Sequence, residues 1–202
     1  MTTESTNSDE PMDEVTHLRL ELAKARKRIS ALEAELAGLS PGAAESNDDS
    51  LLLDRDSELY SEAYFNVALE ARVAAAKRHL RPVAVALIEF SEGNGTSRVP
   101  APPSHGAEAI RQTLRDADTA CRLSDGTFAI ILEDTPENGA VWTVERVRRN
   151  IVSRFGTHTM WAGVACYPAH AFSADELVIQ SRQALTSARD WNQDRIEVAI
   201  SE

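Results

Sequence analysis

The stretch PVAVALIEF (residues 82–90) limits the fold more than any other part of the chain. It is apolar at almost every position, so a strand made from it needs cover on both faces. A strand with one solvated face would alternate polar and apolar residues instead. The run therefore predicts a central strand with helices on each side.

The flanking segments supply those helices. Ser57 to His79 has helical spacing and many alanines. GNGTSRVPAPPSHG (93–106) reads as a Pro/Gly loop, and Ala107 to Asp116 as a short helix. Thr119 to Leu123 and Thr127 to Leu132 read as a hairpin around Asp125-Gly126. Asp-Gly there predicts a two-residue turn with positive φ at both central positions. Glu137 to Arg154 is a predicted helix, with Pro136 near its start and Arg146, Arg148 and Arg149 toward its end. HTMWAGVACY (158–167) is a second strand, Ser173 an expected N-cap for a helix to about Trp191, and RIEVAI a closing strand. Strands alternating with helices, plus one central hairpin, imply an α/β sandwich built on a mixed sheet.

Upstream the pattern changes. Residues 1–13 are polar and acidic, which predicts disorder and excludes a signal peptide. Val15, Leu18, Leu22, Ala25, Ile29, Leu32, Leu36 and Leu39 then follow an unbroken heptad pattern. Branched residues at a with Leu at d favour parallel two-stranded coils. In such a dimer Glu14 faces Arg19, Glu21 faces Arg26 and Arg28 faces Glu33, all opposite in sign. A parallel homodimer over 14–39 is the expectation, and a lone amphipathic helix lying on the domain is the alternative. SPGAAESNDDS (40–50) is a linker by composition, and the folded domain occupies 51–202.

Composition narrows the function. A net charge of −11 argues against nucleic-acid or anionic-membrane binding through bulk electrostatics. No apolar run approaches the ~20 residues of a membrane span. Cys121 and Cys166 fall in strand-like runs without metal spacing, which suits buried thiols in a reducing compartment. The expectation is a cytoplasmic protein. His17, His79, His105, His158 and His170 show no shared metal spacing, so no metal site is expected among them. Trp142, Trp161 and Trp191 read as core or rim packing, and no cofactor is implied.

Six segments in order resemble the GGDEF domain of diguanylate cyclases. LDRDSELYSEAYF (53–65) is similar to the family's opening D-x-L-T-G-L-x-N-R-R-x-F, and RPVAVALIEFSEGN (81–94) to the strand ending in D-x-D-x-F-K. RDADTACRLSDGTF (115–128) resembles R-x-x-D followed by the signature hairpin. EDTPENGAVWTVERVRRNI, WAGVACYP and SADELVIQSRQALTSARDWNQDRI resemble the helix, strand and closing helix that follow. The resemblance implies a mixed central sheet of the nucleotidyl-cyclase-like kind, flanked by helices.

Against that family the signature has decayed. Ser124, Asp125, Gly126, Thr127 and Phe128 stand where G-G-D-E-F would. The family's two-metal chemistry needs carboxylates at the third and fourth positions, and Gly126 and Thr127 carry none. Glu89 keeps the first acid of D-x-D, but Ser91 replaces the second. Ser61 stands for the asparagine of the opening motif, GNGTSRVPAPPSHG replaces the segment that normally recognises guanine, the family lysine is Arg189, and the arginine four residues on is Gln193. Asp125 lies one residue early and so is expected on the wrong face. An enzyme is therefore not expected.

The resemblance also implies a retained inhibitory-type site for cyclic di-GMP. Arg115 and Asp118 reproduce R-x-x-D, and Arg146 lies where the family places a secondary arginine. An arginine fork suits the Hoogsteen edge of guanine, and an aspartate can accept guanine N–H groups. The plain alternative is a local ion pair between Arg115 and Asp118, with Arg146 solvated. Three functions follow as expectations: a non-catalytic cyclic di-GMP receptor reporting through the coiled-coil homodimer to a further protein partner, a ligand-independent scaffold, or a divergent active cyclase.

Overall fold

The structure is a computed structural model that describes residues 52–93 and 98–200. The expected disordered start, coiled coil and linker (1–50) lie outside the described residues, as does any homodimer they form.

The elements run β1 (Tyr60–Ser61), α1 (Glu62–His79), β2 (Val83–Glu92), β3 (Val99–Pro100), α2 (Pro103–Arg111), β4 (Thr119–Arg122), β5 (Phe128–Glu133), α3 (Glu137–Phe155), β6 (His158–Tyr167), α4 (Ala174–Arg189) and β7 (Arg195–Val198). The sheet order is β1-β4-β5-β2-β6-β7, with β3 pairing β2 off this path. β2 is antiparallel to both β5 and β6, while β1–β4 and β6–β7 are parallel.

β2 meets the expectation of a strand covered on both faces. Ala84, Ala86 and Ile88 face a core completed by Ala107 and Ile110 of α2 and by Val144, Val147 and Ile151 of α3. Val83, Val85 and Leu87 face the other core, completed by Phe65, Leu69 and Val73 of α1 and by Leu177 and Leu185 of α4. Six consecutive residues from Val83 to Ile88 are buried, so this strand anchors both layers. Cys121 and Cys166 are buried free thiols. Burial pushes both up to about 12, the negative charge of Glu137 adding to the effect at Cys166.

The helix ends follow local chemistry. Ser173 caps α4 as expected. Its hydroxyl accepts from the Glu176 N–H at 3.2 Å, while the Glu176 carboxylate accepts from the Ser173 N–H, also at 3.2 Å. α1 carries Glu62 in its first turn and Lys77, Arg78 and His79 in its last, matching the helix dipole. It stops at Leu80, which takes left-handed angles (φ 53°, ψ 43°) and is 88% exposed.

Three local expectations need correction. α1 begins at Glu62, not Ser57, because Tyr60–Ser61 pair as β1 and the Ser61 hydroxyl caps the helix by accepting from the Tyr64 N–H. α2 begins at Pro103, not Ala107, and ends at Arg111, not Asp116. Pro102-Pro103 acts as a helix start, because a proline in the first turn gives up an N–H that would have had no partner there. The hairpin turn also differs from the expected two-residue form. The Leu123 carbonyl accepts from the Gly126 N–H at 2.9 Å, and the Leu123 N–H donates to the Thr127 carbonyl at 2.8 Å. This closes a three-residue loop in which Gly126 alone has positive φ (87°).

Gly163 on β6 is a second position where only glycine fits. A Cβ there would lie 2.8 Å from Leu185 Cα and closer still to the Ser181 carbonyl and the Leu185 nitrogen. The α4 backbone therefore rests directly on β6.

Candidate functional site

The hairpin and the neighbouring end of β2 frame one cleft of about 410 Å³. Its charged lining consists of Glu89, Asp125, Arg98 and Arg122. Glu89 is not free. Arg189 of α4 grips both its oxygens, with Nε donating to Oε2 at 2.8 Å and Nη2 meeting Oε1. Thr127 adds a hydroxyl at 3.3 Å from Oε1. Arg189 thus acts as an internal counter-ion.

Asp125 is held in the same manner. Its Oδ1 accepts from the Thr127 N–H at 2.9 Å, which braces the turn, and its Oδ2 accepts from Arg182 Nη1 at 2.7 Å. Partial burial would raise its pKa. The Arg182 hydrogen bond, the two bonds from Thr127 and the Arg182 charge outweigh that and hold the carboxyl below its ordinary value. Ser124 is turned outward, its N–H donating to Glu62 Oε2 at 3.0 Å.

The signature cleft does not suit Mg²⁺. That ion wants free anionic oxygens in octahedral array. Both acids lining the cleft are engaged by arginines, and Arg98 and Arg122 each bury one guanidinium nitrogen without a hydrogen-bond partner. Arg98 lies over Trp161 at 4.7 Å and Arg122 over Phe128 at 5.1 Å, so aromatic faces hold both cations beside the cleft. Trp161 and Trp191 take the expected rim positions, joined by a 3.0 Å bond from Trp161 Nε1 to the Trp191 carbonyl. Trp142 does not; it is 69% exposed on α3.

A second cleft, of about 340 Å³, lies around Arg115 and Asp118. Leu59, Tyr60, Arg111, Leu114 and Ala120 line it with them. The local ion pair is not formed. Asp118 Oδ2 instead accepts from the Arg115 backbone N–H at 3.1 Å, and the Asp118 N–H returns to the Arg115 carbonyl at 3.0 Å. This tight turn fixes the carboxylate. It leaves the Arg115 guanidinium without an ion pair among the described residues. Tyr60 stacks on Tyr64, with ring centroids 4.1 Å apart, and the residue stays 41% exposed.

Arg146 is not part of that lining. Its Nη2 donates to the Thr113 carbonyl at 2.8 Å, just past the C-terminal end of α2 and two residues before Arg115. The structure therefore brings Arg115 and Asp118 together and ties Arg146 to the same turn from behind.

Sequence reasoning missed two things. Arg182, the partner of Asp125, carries no motif signal. The histidines expected to stand apart do not all do so: His105 and His158, 53 residues apart, approach to 3.4 Å.

Residues 104–195 match the family described as "Diguanylate cyclase, GGDEF domain". The chain's backbone is similar to the coiled coil and GGDEF domain of DgcB from Caulobacter crescentus in complex with c-di-GMP. That likeness has TM-score 0.64 and 17% identity, covering 90% of this chain and 99% of that one. It is also similar to the diguanylate cyclase SiaD of Pseudomonas aeruginosa in complex with its activator SiaC, with TM-score 0.63 and 18% identity over 93% of this chain and 76% of that one. The FimX GGDEF domain from the same organism gives TM-score 0.62 and 18% identity over 72% and 98%. At these identities the likeness concerns the fold. No curated protein matches the chain. No described helix is long and apolar enough to cross a membrane.

Proposed function

We propose that the chain is a non-catalytic receptor for cyclic di-GMP, binding at Arg115 and Asp118 and reporting through a coiled-coil dimer. The observation that carries this reading is the contrast between the two clefts. In the signature cleft Glu89 and Asp125 are neutralised by Arg189 and Arg182. In the other, Arg115 has a guanidinium without an ion pair among the described residues, beside a carboxylate whose position a backbone turn sets.

A guanine edge supplies what that cleft lacks. Its O6 and N7 accept the Arg115 fork, and its N–H groups donate to Asp118. Arg146 reaches a ligand held mainly by a second copy of the domain, which would cross-link the pair. The C. crescentus DgcB complex, which contains c-di-GMP, supports this choice of ligand.

Without free carboxylates the signature cleft has no ligand set for the two ions that activate a 3′-hydroxyl and stabilise the leaving phosphate. The proposal therefore excludes turnover of GTP. Calorimetry on the full chain tests the receptor reading. Cyclic di-GMP should bind, and Arg115→Ala should weaken binding by about ten- to a hundredfold, as expected for loss of a bidentate charged contact. No heat with folded protein at high micromolar ligand leaves the scaffold reading. Product formed from GTP and Mg²⁺, and abolished by Glu89→Gln, would mean an active cyclase.

A further inference from the structure

Three residues beyond Glu89 on β2, Glu92 pairs across the sheet with His158, the first residue of β6. His105, in the first turn of α2, lies against the same point. Glu92 Oε1 is 3.4 Å from His105 Nδ1 and 3.9 Å from His158 Nε2, and the two imidazole nitrogens are 3.4 Å apart. Neighbouring donors around a tetrahedral zinc with bonds near 2.0–2.1 Å stand about 3.3–3.4 Å apart. The triangle formed by these three atoms is one face of such a tetrahedron, opened slightly on the side of the Glu92 carboxylate.

The two rings are also held in the orientation a metal requires. His158 Nδ1 is 3.1 Å from the Gly156 carbonyl. A neutral His158 therefore donates through Nδ1 and turns the Nε2 lone pair toward Glu92 and His105, the outer bond that typically orients a metal-bound histidine. Its side chain is only 1% exposed, so the ring has nowhere to turn. His105 stacks on Phe155, with centroids 4.0 Å apart and planes within 9°. Glu92 remains 40% exposed and His105 26%, which leaves a path for an ion and for a fourth ligand from solvent.

We propose that Glu92, His105 and His158 form a site for a divalent transition metal, taking Zn²⁺ with water as the fourth ligand. Two imidazoles and one carboxylate are borderline donors that suit Zn²⁺ rather than Mg²⁺ or Ca²⁺. The metal joins the end of β2, the start of β6 and the first turn of α2. It does so without using Glu89, Asp125, Arg115 or Asp118, so it stands apart from the receptor reading.

The test uses the full chain, stripped with chelator and dialysed, titrated with ZnCl₂ by calorimetry and with CoCl₂ by visible absorption. About one Zn²⁺ should bind per chain, and Co²⁺ should give the intense bands of a four-coordinate centre. His105→Ala and Glu92→Gln, both at partly exposed positions, should each weaken Zn²⁺ binding at least about tenfold and remove those bands. His79→Ala, on the exposed end of α1, should leave both readings unchanged. Folding of each variant is checked by circular dichroism. Absence of Zn²⁺ binding at about 100 μM would overturn the proposal, as would undiminished binding in either His105→Ala or Glu92→Gln.

Discussion

Gly163→Ala tests how closely α4 rests on the sheet. The added Cβ would lie 2.8 Å from Leu185 Cα and nearer still to two backbone atoms of α4, where ordinary contact is 3.4–4 Å. These are backbone atoms of a helix, so no rotamer change relieves the overlap. α4 must move out by about 1 Å, and a gap of that size forfeits a quarter to a half of each dispersion contact across it. Leu177, Ala184, Leu185 and Ala188 are the buried apolar residues of that face. Losing part of the packing of two leucines and two alanines costs about 3–4 kcal/mol. Replacing a strand glycine returns about 0.5–1 kcal/mol through the unfolded chain. The expected net loss is about 3 kcal/mol. Urea unfolding of the two proteins, followed by tryptophan fluorescence, measures it. A loss under about 1 kcal/mol would show that α4 accommodates the methyl and that the close approach does not constrain the fold.

Two further predictions concern stability. Leu80→Gly should stabilise the domain by up to about 1 kcal/mol. It relieves a left-handed non-glycine residue that is 88% exposed and so gives up little packing, and thermal unfolding reads the gain directly. The depressed pKa of Asp125 gives stability that is complete above the ordinary carboxylate range and lost as pH falls below about 4, toward the folded-state value. The urea midpoint should fall across that window, and Arg182→Gln should make the fall shallower; an unchanged acid limb would mean that the pair contributes nothing.

Burial on both faces was legible in β2 because composition alone encodes it: nothing polar interrupts Val83 to Ile88. The Ser173 cap was legible because its partner, Glu176, is three residues away. The start of α2 was misread because proline breaks a helix in its interior but suits its first turn. The hairpin was located correctly, yet its turn type depends on strand register. Pairing of Arg122 with Phe128 leaves room for the longer loop that a two-residue reading excludes. The charge pairs Glu89–Arg189 and Asp125–Arg182 span 100 and 57 residues, and the His105–His158 approach spans 53. No local pattern reports contacts at such separations; they follow from sheet order and helix placement.

β1 is only two residues long, but its position gives it leverage. Tyr60 and Ser61 pair with Cys121 and Arg122 on β4, and the residues just before them, Leu53, Glu58 and Leu59, form part of the wall around Arg115. Arg111 fastens that wall by donating to the Ser57 carbonyl. The stretch through which the chain enters the sheet is thus also a side of the cleft. A pull on that stretch changes the shape of the cleft, and by thermodynamic reciprocity a molecule filling the cleft resists the pull. Strain applied to residues 53–61 and occupancy of the Arg115 cleft are therefore coupled through a shared wall.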